Sequence, residues 1–170
     1  MTLSMYTASI PVFLRGLDVL SVVLERAVAY AAARDFDVDI LVGARLAPDM
    51  LPLSGQIQRA SDTAKFAAAR LTDLPSPRFA DTEVTLEDLR QRIDVTDDYL
   101  KTFRAEQFDG SGERTISYNA GGAPRQSCGQ EYLLNFALPS FYFHVVRTRN
   151  ILRYNGVPVG KREYLGFGRE

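Results

Sequence analysis

His144 is the only histidine in this sequence, and it stands in the run Phe141-Tyr-Phe-His with Thr148 one helical turn beyond. An imidazole near neutral pH serves as a base, a ligand anchor or a metal ligand. His144 also flanks an apolar stripe, so a core histidine bonded to a neighbour is the plainer reading. Arg45 and Asp49 form the next candidate pair. In the functional reading Arg45 clamps a carboxylate or phosphate at one end of the fold. Structurally, Asp49 would cap a helix and Arg45 would tie down its loop. Tyr142 and Phe143, beside Phe141, put aromatics on both sides of one helix. They read as a ligand wall, a dimer seam or additional packing. Cys128, just ahead of a helix, is a lone thiol, and a helix N-terminus could activate it. Asp94, Asp97 and Asp98 read as a solvated face. The sequence has no phosphate-binding Gly-x-x-x-x-Gly-Lys-Ser/Thr loop, no Gly-x-Ser-x-Gly elbow and no Cys-x-x-Cys pair.

These residues need elements to position them. Phe13, Leu17, Leu20, Leu24, Ala27 and Ala31 recur at alternating spacings of four and three, which predicts a helix from about Ser9 to Arg34. Asp37 or Asp39 is placed to cap a turn or two through Ile40, Leu41 and Val42. A second helix follows Asp49 and runs to about Thr72 on the stripe Leu53, Ile57, Ala60, Ala64, Ala67 and Leu71. Leu74-Pro-Ser-Pro stops it. Thr85, with Asp88 three residues on, forms a capping box for a third helix. Its stripe is Leu86, Leu89, Ile93, Thr96, Leu100 and Phe103. Thr115-Ile-Ser-Tyr-Asn and Arg125-Gln-Ser, joined through Ala120-Gly-Gly-Ala, predict a β-hairpin that must pack on the helices. A fourth helix spans about Gly129 to Tyr154, with Pro139 inside it as a kink. The tail from Val157 carries Tyr164, Leu165 and Phe167 and should fold back over the rest.

Four amphipathic stripes bury one another most simply as an all-α four-helix bundle, here with a small hairpin between the third and fourth long helices. The 170 residues fit one domain. Apolar residues at 46% are enough for a core without disulfide staples. Acids and bases nearly cancel, 21 against 20, so no nucleic-acid partner is expected. No run of about 18 apolar residues suggests a membrane span. The start has no basic segment leading into an apolar run, and the single cysteine suits a reducing compartment, so a cytoplasmic protein is the expectation.

Several segments together resemble a known group. They are Ser4-Met-Tyr-Thr-Ala-Ser-Ile-Pro-Val-Phe, Ala44-Arg-Leu-Ala-Pro-Asp-Met, Ala60-Ser-Asp-Thr-Ala-Lys, Ala137-Leu-Pro-Ser-Phe-Tyr-Phe-His and Asn155-Gly-Val-Pro-Val-Gly-Lys-Arg-Glu-Tyr-Leu-Gly. Over nearly the whole chain they resemble a domain-of-unknown-function branch of the DinB/YfiT-like superfamily. The resemblance implies a four-helix bundle, often dimeric, holding a divalent metal on three histidines. One of those lies on the second helix and an His-x-x-x-His pair on the fourth. In some members that metal activates a low-molecular-weight thiol or serves an isomerisation. Residues four apart stack on one helix face, so two imidazoles can meet one ion. This sequence departs from the pattern. His144 matches the second histidine of the pair, Ser140 stands at the first position, and Thr63 stands at the second-helix position. In a shifted register Thr148 joins the pair instead. Serine and threonine are poor ligands beside imidazole for zinc or nickel. Asp62 and Asp49 could supply carboxylates, but Asp62 falls on the polar side of its helix. No cofactor is therefore expected, and only a weak divalent site with carboxylate or water ligands remains.

Two functional readings follow. One is a small-molecule-binding or interaction bundle, a homodimer that has lost the superfamily's metal. Its pocket candidates are His144, Ser140, Thr63, Thr148, Arg45, Asp49 and Tyr142. The other is an enzyme of thiol-transferase or isomerase type with a rebuilt or absent metal site.

Overall fold

The structure, a computed structural model, describes residues 3–167. The stripe that begins at Phe13 forms helix α1 (Ile10–Arg34), with Pro11 in its first turn, where a missing N–H costs nothing. A short 3-10 turn (Val38–Leu41) follows, and the Asp37 carboxylate accepts from the Asp39 N–H to cap it. Helix α2 (Leu53–Thr72) comes next, then α3 (Leu86–Lys101). The predicted capping box of α3 is present, with Asp88 N–H donating to Thr85 Oγ1 and Thr85 N–H donating to Asp88 Oδ2. A second carboxylate reinforces it, because Leu86 N–H donates to Asp39 Oδ1 at 2.7 Å.

Strands β1 (Thr115–Ala120) and β2 (Ala123–Cys128) form the antiparallel hairpin. Gly121 and Gly122 both have φ near +70°, which its two-residue turn requires. The chain then enters α4 (Gly129–Tyr132), a π-helical turn (Leu133–Ala137), α5 (Leu138–Tyr154) and a last short α6 (Lys161–Tyr164).

Helices α2 and α1 each pack between α3 and α5, from opposite sides, and the four stripes meet in one core. Helix α2 lies against α5 in antiparallel fashion: Gln56 meets His144 and Arg70 meets Tyr132. Against α3 it runs parallel, with Gln58 meeting Glu83 just before α3 and Pro75 meeting Tyr99 near its end. A parallel pair demands a long return, and residues 73–85 supply it. At Gly16 the α1 backbone touches the fully buried ring of Phe141, which leaves no room for a side chain there. The tail folds back as expected. Val157 and Val159 are buried, and Arg15 of α1 donates to the Leu165 carbonyl at 2.8 Å. No helix among the described residues is long and apolar enough to cross a membrane.

The structure corrects two expectations. Asp49 does not cap α2. The helix starts after Pro52 with no side-chain cap, and its first donors go to loop carbonyls, Leu53 N–H to Ala44 and Ser54 N–H to Val42. Backbone thus does the work assigned to the carboxylate. The fourth long helix is not uniform α with a proline kink. Pro139 cannot donate, and the turn before it widens to π geometry, with Leu138 N–H reaching back to the Leu133 carbonyl.

Candidate functional site

The seam between α2 and α5 holds the single histidine. Gln56, 2% exposed, donates its Nε2–H to the Leu51 carbonyl at 3.1 Å. That bond fixes the amide orientation and leaves Oε1 facing His144 Nδ1 at 2.9 Å. A carbonyl oxygen only accepts, so Nδ1 carries the proton and Nε2 is the ring's acceptor. Burial, together with the Arg59 and Arg147 guanidiniums nearby, pushes the His144 pKa down to about 4. The imidazole is therefore uncharged at neutral pH, beside two cations.

Helical periodicity extends this site. Arg59 and Thr63 follow Gln56 along one face of α2, and Ser140 and Arg147 flank His144 on one face of α5. Thr63 and Ser140 are both half-buried. Thr63 donates its hydroxyl to the Arg59 carbonyl of its own helix at 2.7 Å. Thr148 is fully buried and donates to the His144 carbonyl at 3.0 Å, so it holds the helix from inside. Arg45 donates to the Met50 carbonyl at 2.6 Å, and Arg147 lies 3.5 Å from the Met50 sulfur. The loop before α2 thus meets the start of the seam, with Asp49 exposed at its surface. Tyr142 points elsewhere. Its hydroxyl reaches the Val12 carbonyl of α1 at 3.3 Å, beside Arg15 and Tyr164. Phe143 is 50% exposed and carries the Arg147 guanidinium 4.6 Å above its ring.

The donor set on this seam does not fit a transition metal. Thr63 and Ser140 offer hydroxyls, and His144 offers one imidazole nitrogen between two guanidiniums. Among the described residues no group of three or more His, Cys, Asp or Glu side chains is placed to hold an ion. Asp62 is already engaged by Arg92 and Lys65, both at 2.9 Å.

That engagement belongs to a buried charge cluster that the sequence reading did not find. Arg92 of α3 is 2% exposed and donates to Asp62, Asp81, Glu83 and Ser61 at 2.8–2.9 Å. Phe79 of the return segment lies against both Arg92 and Lys65, 4.3 and 4.1 Å from its ring. Thr96 donates to the Arg92 carbonyl, so Ser61 must donate to Thr96 while accepting from Arg92. Burial alone would raise the Glu83 pKa, but hydrogen bonds from Gln58 and Arg92 hold it below the ordinary carboxylate value. The cluster fastens the return segment to α2 and α3. The sequence signal was Arg92 on the edge of the α3 stripe beside Thr96. The acids that answer it lie on other elements, where periodicity does not reach.

Residues 5–165 match the family described as "Domain of unknown function (DUF1993)". Among solved structures, the chain is similar to the crystal structure of a DinB family member protein from Shewanella denitrificans. The TM-score is 0.89 and the identity 37%, covering 95% of this chain and 92% of that one. No curated protein matches. The helical bundle, the hairpin and these two likenesses agree, and the chain belongs to the DUF1993 family, a branch of the DinB-like superfamily.

Proposed function

We propose that this chain is a small-molecule-binding bundle, a cytoplasmic homodimer, whose ligand seat is the α2–α5 seam around His144 and uses no transition metal. The observation that carries this reading is the Gln56–His144 pair, which holds a neutral imidazole with Nε2 as acceptor beside Arg59 and Arg147. Such a seat suits a small ligand with one oxyanion for the guanidiniums and an adjacent O–H or N–H for Nε2. Ser140, Thr63 and Arg45 border the same seam and complete its polar rim. Half-exposed Phe143 supports a dimer contact beside it.

An enzyme of thiol-transferase or isomerase type is the second reading, supported by His144 standing where the superfamily carries a ligand. An imidazole with a pKa of about 4 is a weak base at neutral pH. This favours an anchoring role over proton abstraction.

The test uses protein purified without an affinity tag. Glycolate and methyl phosphate are titrated while the ring resonances of the single histidine are followed. Saturable shifts, weakened about tenfold in Arg147→Gln, support the reading. A stoichiometric transition metal that is lost in His144→Ala would sink it. Light scattering tests the dimer, with twice the 19.0 kDa chain mass expected.

A further inference from the structure

The hairpin borders an open depression far from the histidine. Strand pairing sets Tyr118 of β1 directly opposite Arg125 of β2. Partners across an antiparallel ladder share a face, and Ile116 and Tyr118 mark the inward one. Arg125 thus shares the face of Tyr118 while its own side chain stays exposed. The open space it lines measures about 630 Å³ and is bordered on the bundle side by Arg70 of α2.

Arg70 is held firmly. It donates to Tyr132 Oη at 2.9 Å and sits 5.2 and 5.7 Å from the rings of Phe66 and Tyr132. Tyr118 completes an aromatic floor, 4.9 Å from Tyr132 and 4.7 Å from Phe136. Ser117, Asn119, Pro124 and Gln126, which alternate along the strands with Tyr118 and Arg125, complete the lining. No carboxylate lines the depression, and neither Arg70 nor Arg125 forms an ion pair among the described residues. An oxyanion in this space could accept from both guanidiniums without meeting a carboxylate.

We infer that this depression is a binding site for a small organic anion, one whose carboxylate or phosphate is gripped by Arg70 and Arg125 and whose flat ring lies on Tyr118. Its volume is that of ordinary small-molecule pockets. It lies about 20 Å along α2 from Gln56, so it is distinct from the His144 seam. The two stand or fall separately.

The test titrates the full chain with benzoate and phenyl phosphate, using inorganic phosphate and phenol as half-ligand controls. Shifts of hairpin amides and Tyr118 ring protons are followed. Saturable binding of benzoate or phenyl phosphate is expected, about tenfold or more tighter than either control. Arg125→Gln should weaken it about tenfold or more with unchanged thermal stability, since Arg125 is exposed and its removal leaves no buried partner. Arg70→Gln should weaken it at least as much. No saturable shift with any probe, equal affinity for inorganic phosphate and phenyl phosphate, or unchanged binding in Arg125→Gln would each overturn the inference. Because the readout is on the hairpin, shifts confined to His144 count against this site while leaving the seam untouched.

Discussion

Replacing Arg92 with methionine tests the buried cluster most sharply. Methionine keeps the length and most of the volume, so no large cavity opens beside Phe79. What disappears is the charge and its hydrogen bonds to Asp62, Asp81, Glu83 and Ser61. Asp62 and Glu83 are 15% and 13% exposed, so both are left as mostly buried carboxylates, although Asp62 keeps Lys65. Asp81, at 41% exposed, recovers water and adds little. Removing one partner of a buried pair costs about 3–5 kcal/mol. The lower end, about 3 kcal/mol, applies because Lys65 remains. With an unfolding entropy of about 2 cal/mol/K per residue, a chain of this length loses about 8 °C in Tm. Differential scanning calorimetry at neutral pH reads this directly. The pH dependence adds a second arm. The Glu83 pKa is depressed below its ordinary 4.5. Its contribution is therefore complete above pH 4.5 and is lost as pH falls through the folded value. In Arg92→Met burial raises the unpaired carboxylates instead, so the variant is relieved by protonation first and the gap should narrow steadily as pH falls from 7. A Tm loss under about 2 °C, or a gap that widens in acid, would refute the reasoning.

Other outcomes follow from single contacts. Gly16→Ala places a methyl group inside the contact distance of the buried Phe141 ring. The contact is close enough for the upper end of the overpacking range, about 3 kcal/mol, and the helix-propensity gain offsets about 1, so chemical denaturation should show a net loss of about 2 kcal/mol. Thr85→Ala removes half of the α3 capping box and should cost about 1 kcal/mol by the same measurement, whereas Thr85→Ser should cost much less. His144 folds with its pKa lowered from 6.5 to about 4. The unfolded chain takes up the proton first, so stability is complete above pH 6.5 and falls as pH drops towards 4. Discounted for the partly exposed ring, the loss is about 2 kcal/mol. It should be absent in His144→Gln, which equilibrium denaturation across that pH range would show.

The elements were legible where a local pattern decides them. The stripes of α1, α2 and α3, the Thr85–Asp88 cap and the Gly121-Gly122 turn all rest on residues a few positions apart, and they fold as read. Asp49 shows where local reading stops. It has the right type and place for a cap, yet carbonyls of Val42 and Ala44 reach the α2 donors first. Pro139 likewise announces a disturbance without its form, because whether a helix bends or widens to π geometry depends on what packs around it. His144 was recognisable as the one imidazole, but its partner Gln56 is 88 residues away in sequence and had no signal of its own. The Arg92 cluster gathers two helices and the return segment, and the hairpin depression joins Arg125 to Arg70. Both depend on tertiary contacts that no periodicity encodes. Thr63 and Ser140 were singled out by family likeness. Helical periodicity puts Thr63 on the face of α2 that carries Gln56 and Ser140 on the face of α5 that carries His144.

The proposed ligand seat around His144 rests on a neutral imidazole that holds no metal. The nitrogen-15 correlation spectrum of the single imidazole, recorded from pH 3 to 8 with and without one equivalent of zinc, tests it most directly. The ring should be neutral and protonated at Nδ1 at pH 7, with a midpoint near pH 4 and no change with zinc. A midpoint at or above 6.5, or a stoichiometric zinc-induced shift at Nε2, would contradict it.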